Sequence, residues 1–263
     1  MRAVVGLLAL LTLLGGLAGC DRLVGLKPRP IDANEIESTY ADAVLADTPI
    51  AYWRFGANSL QVAADTSGQN PGIYRGQASP TASGALLGDS DPALALDGDG
   101  DFVDMADRLA FEGHAPFTIE LWAQRTTLTG YVGVISKSDE QSGGLIRTGY
   151  QLFSDGESLG FERSGEASIR QDVRTAPLQE GRWTYLAVTY DGAVLRLYVD
   201  AALQAISSTP AVAIPPTTNA FVIGGRNGGQ HLFFAGAVDE VALYDRALEL
   251  AALERHRAAA LGL

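Results

Sequence analysis

The stretch from Arg182 to Asp200, R-W-T-Y-L-A-V-T-Y-D-G-A-V-L-R-L-Y-V-D, constrains the fold of this chain more than any other. Two runs rich in β-branched, leucine and aromatic residues flank Asp191-Gly192, a dipeptide suited to the positive φ of a tight hairpin turn. Before the turn, Tyr185, Ala187 and Thr189 alternate with Leu186, Val188 and Tyr190; after it, Val194, Arg196 and Tyr198 alternate with Leu195, Leu197 and Val199. Each arm therefore offers one largely apolar face and one mixed face, as antiparallel strands over a core do. The spacing predicts the central hairpin of a β-sandwich.

The rest of the chain repeats the pattern with turn signals every 8 to 15 residues. Strands are expected at 51–55, 93–96, 102–105, 117–125, 131–137, 150–154, 158–163, 167–173, 183–190, 194–199, 203–207, 219–224 and 237–244. The runs 58–66 and 209–218 carry no legible pattern. Helical periodicity is confined to Glu35–Ala46 and Leu248–Leu261. The expected fold class is thus all-β, a two-sheet antiparallel sandwich with short N- and C-terminal helices. A chain of 263 residues suffices for one such domain with a substantial core. No internal repeat is present, and the domain is expected over 32–258 with a tail at 259–263.

The hairpin resembles the signature hairpin of laminin-G-like, concanavalin-A-like jelly-roll domains. Further segments fit in the same order: Ala51–Gly56 (A-Y-W-R-F-G) with Ala64–Gly68, Leu96–Val103 (L-D-G-D-G-D-F-V), Phe117–Trp122 (F-T-I-E-L-W) and Phe234–Leu248 (F-A-G-A-V-D-E-V-A-L-Y-D-R-A-L). The resemblance implies a jelly-roll. It leaves function open, because the fold hosts lectins, adhesion modules, pentraxins and glucanases alike.

Charge and cysteine narrow the classes. Net charge is −12, with 19 basic and 31 acidic residues, and no basic cluster exists. Nucleic-acid binding is disfavoured accordingly. The sole cysteine, Cys20, excludes an intramolecular disulfide and a zinc–cysteine site. Met1-Arg2 precedes an uncharged apolar run to Gly19, the layout of an export signal. Leu17-Ala18-Gly19-Cys20 resembles the lipobox of bacterial lipoproteins, which implies removal of residues 1–19 and lipidation of Cys20. Residues 20–31, with their K-P-R-P, then form a stiff tether. The expected location is the cell membrane, lipid-anchored on the extracytoplasmic side.

Three chemistries remain for the domain. Asp97, Asp99 and Asp101 alternate with glycine, a pattern suited to calcium and its hard oxygen ligands. The jelly-roll resemblance implies one structural calcium held by Asp65, Asp99 or Asp101, and Asp239, against the alternative that these aspartates cap turns. Hydrolysis is disfavoured: no glutamate has an aspartate two residues later, so the strand-borne acid pair of jelly-roll glucanases is absent. Glu120, beside Trp122, would be the first suspect for any catalysis. Ligand binding by aromatic platforms and planar polar groups would draw on Trp122, Tyr150, Arg226, Asn227 and His231. The leading expectation is a non-catalytic envelope lipoprotein binding glycan or a protein partner; the alternatives are an atypical carbohydrate-active hydrolase with acids drawn from different strands, or a purely structural interaction module.

Overall fold

The computed structural model describes residues 33–263 apart from 57–58, 128–129 and 142–145. The export signal, Cys20 and the tether lie outside the described residues. The alternation along 184–199 closes as expected: β12 (Thr184–Tyr190) pairs antiparallel with β13 (Leu195–Val199), Leu186 opposite Val199 and Val188 opposite Leu197. The turn differs in detail from a two-residue hairpin. Only Gly192 takes positive φ, at 99°. Asp191 instead caps the loop, its Oδ1 accepting the N–H groups of Ala193 and Val194 at 3.0 and 2.8 Å.

Around this hairpin the chain builds α1 (Ala33–Ala46), β1 (Ala51–Trp53), β2 (Val62–Ala63), β3 (Gly72–Arg75), β4 (Ser79–Ser83), β5 (Pro92–Asp97), β6 (Phe102–Asp104), β7 (Phe117–Arg125), β8 (Val132–Gln141), β9 (Ile146–Ser154), β10 (Leu159–Ser164) and β11 (Arg170–Thr175). After the hairpin come β14 (Ala202–Ile206), β15 (Val222–Ile223), β16 (Ala235–Tyr244) and α2 (Leu250–Ala260). One sheet runs β14-β13-β12-β7-β16-β5-β4, with β1 also paired to β16; the other runs β11-β10-β9-β8-β15-β6-β3-β2. The expected all-β sandwich with two helices is what the chain forms. The expected tail at 259–263 is corrected: α2 continues to Ala260, and Ala259 and Ala260 are buried. Strands β2, β3 and β4 were not expected. They are short, and β2 and β4 form sheet edges, where even Pro80 is tolerated because no neighbour needs its N–H.

The main core lies between the sheets, where Phe117, Ile119, Leu121 and Ala123 of β7 meet Tyr150 and Leu152 of β9 and Phe161 of β10. A second core covers the opposite face of the first sheet. There Trp122, Tyr185, Tyr198 and Tyr244 pack beneath Tyr40 and Val44 of α1 and Leu253 of α2. The mixed face of β12 and most of that of β7 are therefore buried, and their polar groups must be bonded internally. Glu120 is fully buried and accepts the hydroxyls of Tyr185 and Tyr244. His256 of α2 places Nδ1 3.0 Å from Glu120 Oε1 and Nε2 3.0 Å from Asp47 Oδ2. Asp47 also receives Arg255 at 2.9 Å. Burial opposes the imidazolium, but the bond to Glu120 and the charges of Glu120 and Asp47 outweigh it and hold the His256 pKa above its ordinary value.

A raised folded-state pKa means that this stabilisation is complete below the unfolded value of about 6.5 and is lost as pH climbs through the folded one. The gap in unfolding midpoint between the native protein and His256→Gln is thus expected to be widest near pH 6 and to narrow on the alkaline side. Denaturant titrations across that range check it; a gap that widens with pH contradicts the assignment. Glu120→Gln is expected to cost about 3 kcal/mol, because it takes the fully buried one of the two carboxylates that hold the His256 charge and leaves only Asp47.

Candidate functional site

The second sheet turns its other face outward. Strand alternation sends Tyr150 and Leu152 of β9 into the core, so Arg147, Gln151 and Phe153 share the opposite face. Across the register Glu162 of β10 stands opposite Gln151, and Glu140 of β8 opposite Arg147. These side chains form one lattice. Glu162 Oε1 accepts Arg147 Nη1 and, at 2.6 Å, Gln151 Nε2, while its Oε2 lies 3.5 Å from Arg170. Glu140 Oε1 meets Arg226 Nε and lies 3.6 Å from Arg147 Nε; its Oε2 lies 3.3 Å from His231 Nε2. One guanidinium, Arg147, thus spans both carboxylates.

An aromatic pair borders the lattice. Tyr131 stacks on Phe153 with ring centres 4.8 Å apart and 12° between planes. The Arg226 guanidinium lies 5.0 Å from the Tyr131 ring centre and that of Arg174 lies 4.8 Å from Phe153. Gln151 Nε2 also donates to the Tyr131 hydroxyl at 2.8 Å, whereas the buried Gln151 Oε1 has no hydrogen-bond partner. The floor is closed and the rim is open: Glu162 is 2 % exposed, against 52 % for the Arg170 side chain, 44 % for Arg174 and 42 % for His231.

Of the expected ligand residues, the structure brings Arg226, Asn227 and His231 together here. The loop is pinched by the Arg226 N–H bond to the His231 carbonyl at 3.1 Å. Asn227, in the left-handed region at φ 51°, accepts the Glu140 N–H at 3.0 Å and a bond from Asn219. It fastens the loop to β8 instead of facing outward. Trp122 and Tyr150 are corrected. Trp122 lies on the other sheet beneath α1, 4 % exposed, with Nε1 donating to the Tyr40 hydroxyl at 3.3 Å. Tyr150 stands in the main core against Phe111 and Phe117 and donates to the Leu109 carbonyl at 2.6 Å. Glu120, buried under the helices, reaches no ligand either. Sequence reasoning missed Tyr131, Glu140, Arg147, Gln151 and Glu162. The parity of R-T-G-Y-Q-L-F in β9, polar against the Tyr150 and Leu152 positions, is the signal that marks this face.

The expected calcium ligands are not gathered. Asp65 fills its oxygens with the N–H groups of Tyr52, Ser67, Gln69 and Asn70 at 2.7–3.1 Å. Asp101 accepts the N–H groups of Gln77 and Asp97. Asp239 accepts those of Ala85 and Glu240 at 2.8 and 2.9 Å, and Asp99 is an exposed turn residue. Burial and the neighbouring Glu240 charge raise the Asp239 carboxyl well above the usual carboxylate range. Among the described residues no three His, Cys, Asp or Glu side chains are grouped to hold a metal. The set does not fit a calcium: Asp65 and Asp101 bond turn N–H groups, and Asp239 ties Ala85 to β16.

Comparison with known proteins agrees with this architecture. The model of the concanavalin A-like lectin/glucanases superfamily matches residues 97–253, more than half of the chain. The chain belongs to that superfamily, which includes both enzymes and binding domains. Among solved structures it is similar to domain 4 of AbnA, a GH43 extracellular arabinanase from Geobacillus stearothermophilus in complex with arabinotriose, at 19 % identity and TM-score 0.63, covering 80 % of this chain and 98 % of that domain. It is also similar to the binding domain of botulinum neurotoxin serotype D, at 12 % identity and TM-score 0.61 over 80 % of this chain, and to that of Paraclostridial Mosquitocidal Protein 1, at 14 % identity and TM-score 0.62 over 81 %. The chain spans 51 % and 52 % of those two binding domains. No curated protein matches.

The lattice is expected to respond unevenly to truncation. Glu162→Ala removes the buried carboxylate that Gln151 and Arg147 share and should cost about 3 kcal/mol. Arg170→Ala, at the exposed end of the same network, should cost less than about 1 kcal/mol. Urea unfolding of the two variants measures the difference; equal costs would contradict the division into floor and rim.

Proposed function

We propose that this protein is a lipid-anchored, non-catalytic recognition module that presents the outer face of its second sheet to glycan on the extracytoplasmic side of the membrane. The observation that carries the reading is the Glu140–Arg147–Glu162 lattice under an open rim of Arg170, Arg174 and His231. Planar carboxylate, amide and guanidinium groups held rigidly by one another match pairs of sugar hydroxyls, and Tyr131 offers a ring beside them. The arabinotriose bound by the arabinanase domain supports a carbohydrate ligand, and the toxin binding domains support recognition as the task of the fold. Anchoring rests on the lipobox-like Leu17–Cys20. No helix among the described residues is long and apolar enough to cross a membrane.

The non-catalytic part rests on how the acids are used. Glu140 and Glu162 are two carboxylates drawn from different strands, the feature that a hydrolase would need. Here each is ion-paired, and the Arg147 guanidinium occupies the space between them. A glycosidase pair instead keeps about 5–9.5 Å clear for the sugar and its water.

A glycan array probed with the purified chain tests the reading. His231→Ala and Arg174→Ala are each expected to weaken the best ligand roughly tenfold, about 1.4 kcal/mol, whereas Trp122→Phe on the other sheet should leave it unchanged. Release of reducing sugar that vanishes in Glu162→Gln would promote the hydrolase reading, and binding only to protein partners would reject glycan. Cys20→Ala should shift the protein from the membrane fraction to the soluble one, or leave it uncleaved; fractionation and migration like the native chain would refute the anchor.

A further inference from the structure

The open face of the second sheet continues past the loop 226–231, and there it changes character. Val103 of β6 points into the main core, so Phe102 and Asp104 on either side of it point outward. In β3 the Tyr74 position, opposite Val103, packs on the core, which turns Arg75 outward as well. Arg75 stands opposite Phe102, 46 % exposed, and donates to Asp104 Oδ2 from Nε and Nη2 at 3.2 and 2.8 Å. Phe102 is met by Phe233, two residues beyond His231, with ring centres 6.2 Å apart and 26° between planes. At that separation the faces are offset and only partly cover one another. Both side chains remain partly exposed.

The two rings lie on glycine. A side chain on Gly229 would run into the Phe102 ring, and a Cβ on Gly225 would stand 3.3 Å from that of Phe233. Backbone thus supports one side of each ring, and the exposure that the rings keep belongs to the far side. The loop is tightly wound to arrange this: Asn227, Gly228, Gly229 and Leu232 take positive φ, at 51, 66, 79 and 58°. For a side chain as bulky as leucine that conformation is costly, and it persists only where surrounding bonds over-determine it. Here those bonds are the Arg226 N–H to the His231 carbonyl, the Gly133 N–H to the Leu232 carbonyl at 2.8 Å, and the Glu140 N–H to Asn227. The outcome is that His231 faces Glu140 of the lattice while Phe233 lies against Phe102.

We propose that Phe102 and Phe233 form a second subsite, aromatic where the first is polar, and that the two together take a linear oligosaccharide laid across the loop, not a single terminal sugar. The rings meet the apolar C–H face of one sugar unit and the Arg75–Asp104 pair bonds its hydroxyls, while the lattice rim holds another unit. The inference rests on the glycan reading above and adds to it a requirement for length and for stacking.

The test is binding of the full chain to arabino-, xylo-, gluco- and galacto-oligosaccharides, each series running from monosaccharide to hexasaccharide. At least one series should show affinity rising with length, roughly tenfold or more from monosaccharide to hexasaccharide. Phe102→Leu and Phe233→Leu keep apolar bulk without a ring and guard against a variant that fails to fold. Each should weaken the hexasaccharide roughly tenfold and leave the monosaccharide unchanged. Phe233→Tyr, which keeps the ring, should bind like the native chain, and His231→Ala should weaken every length alike. Affinity independent of length, or leucine variants that bind like the native chain, overturns the second subsite and leaves the glycan reading standing. So does a loss in the leucine variants that is equal at all lengths and accompanied by a lower unfolding midpoint, since the rings then only hold the loop. Binding to no member of any series overturns both.

Discussion

The first sheet has no face left for solvent along its central strands, and much of the structure follows from that constraint. A sheet in a two-layer sandwich normally buries one side and wets the other. Here α1 and α2 cover the second side, so every polar residue that the alternation places there must be bonded inside the protein. Thr118 shows how this organises the fold: its hydroxyl donates to the Arg246 carbonyl at 2.8 Å and accepts the Leu248 N–H at 2.8 Å, which steers the chain into α2. Glu120 does the same for the helix itself through His256. Polar side chains on β7 thus select the docking geometry of a helix more than 120 residues later, and the apolar contacts of Leu253 and Ala252 fill in around them.

With one outer face committed to helices, the other stays partly open to solvent. It is likewise held by internal pairs, though Gln151 Oε1 has no hydrogen-bond partner, and it stops short of full burial. Glu162 and Gln151 are buried and Arg147 is nearly so, yet the network ends in Arg170, Arg174 and His231, which remain in water. A lattice of this kind is rigid because each planar group is fixed by another, so a ligand pays little to order it. The loop 226–231 is part of that rigidity. Arg226 forms an ion pair with Glu140 through its side chain and a hydrogen bond with the His231 carbonyl through its backbone N–H, so the rim and the floor are one piece.

How much of this was legible in the sequence depends on what alternation encodes. A period of two tells which residues share a face and says nothing about what covers it. It therefore places the hairpin and most strands correctly, but could not reveal that α1 lies over Trp122. Tyr150 was misjudged for the converse reason: an aromatic with a polar tip was taken for a platform, while the apolar parity of β9 assigned it to the core. Arg226, Asn227 and His231 were found because a Gly-rich loop between strands is where exposed polar groups gather. Glu140, Arg147 and Glu162 were not, since acids and bases on separate strands form a site only through a register that no local pattern displays. The aspartates misled because turn-capping and metal binding use the same residue in the same loops.

The arginine content gives these observations a common cause. Of the 19 basic residues only Lys27 and Lys137 are lysines, and arginines do internal work that a point charge could not. Arg163, fully buried, donates to the Val212 and Gly113 carbonyls at 2.9 Å each while its guanidinium lies 3.6 Å over the Tyr190 ring. Arg147 of β9 bridges Glu140 of β8 and Glu162 of β10, and Arg54 bridges Asp89 and Asp91 of the loop 84–91 to Glu240 of β16. Lys137 is the exception that fits the rule: its ammonium is buried where the acceptors are Asp107 and two carbonyls, Thr217 and Asn219, set around one point. An acidic chain without disulfides among its described residues needs cations to draw its carboxylates into the interior. Forked cations do this and also tie separate strands and loops together, the task that a bound metal or a disulfide performs in many small domains.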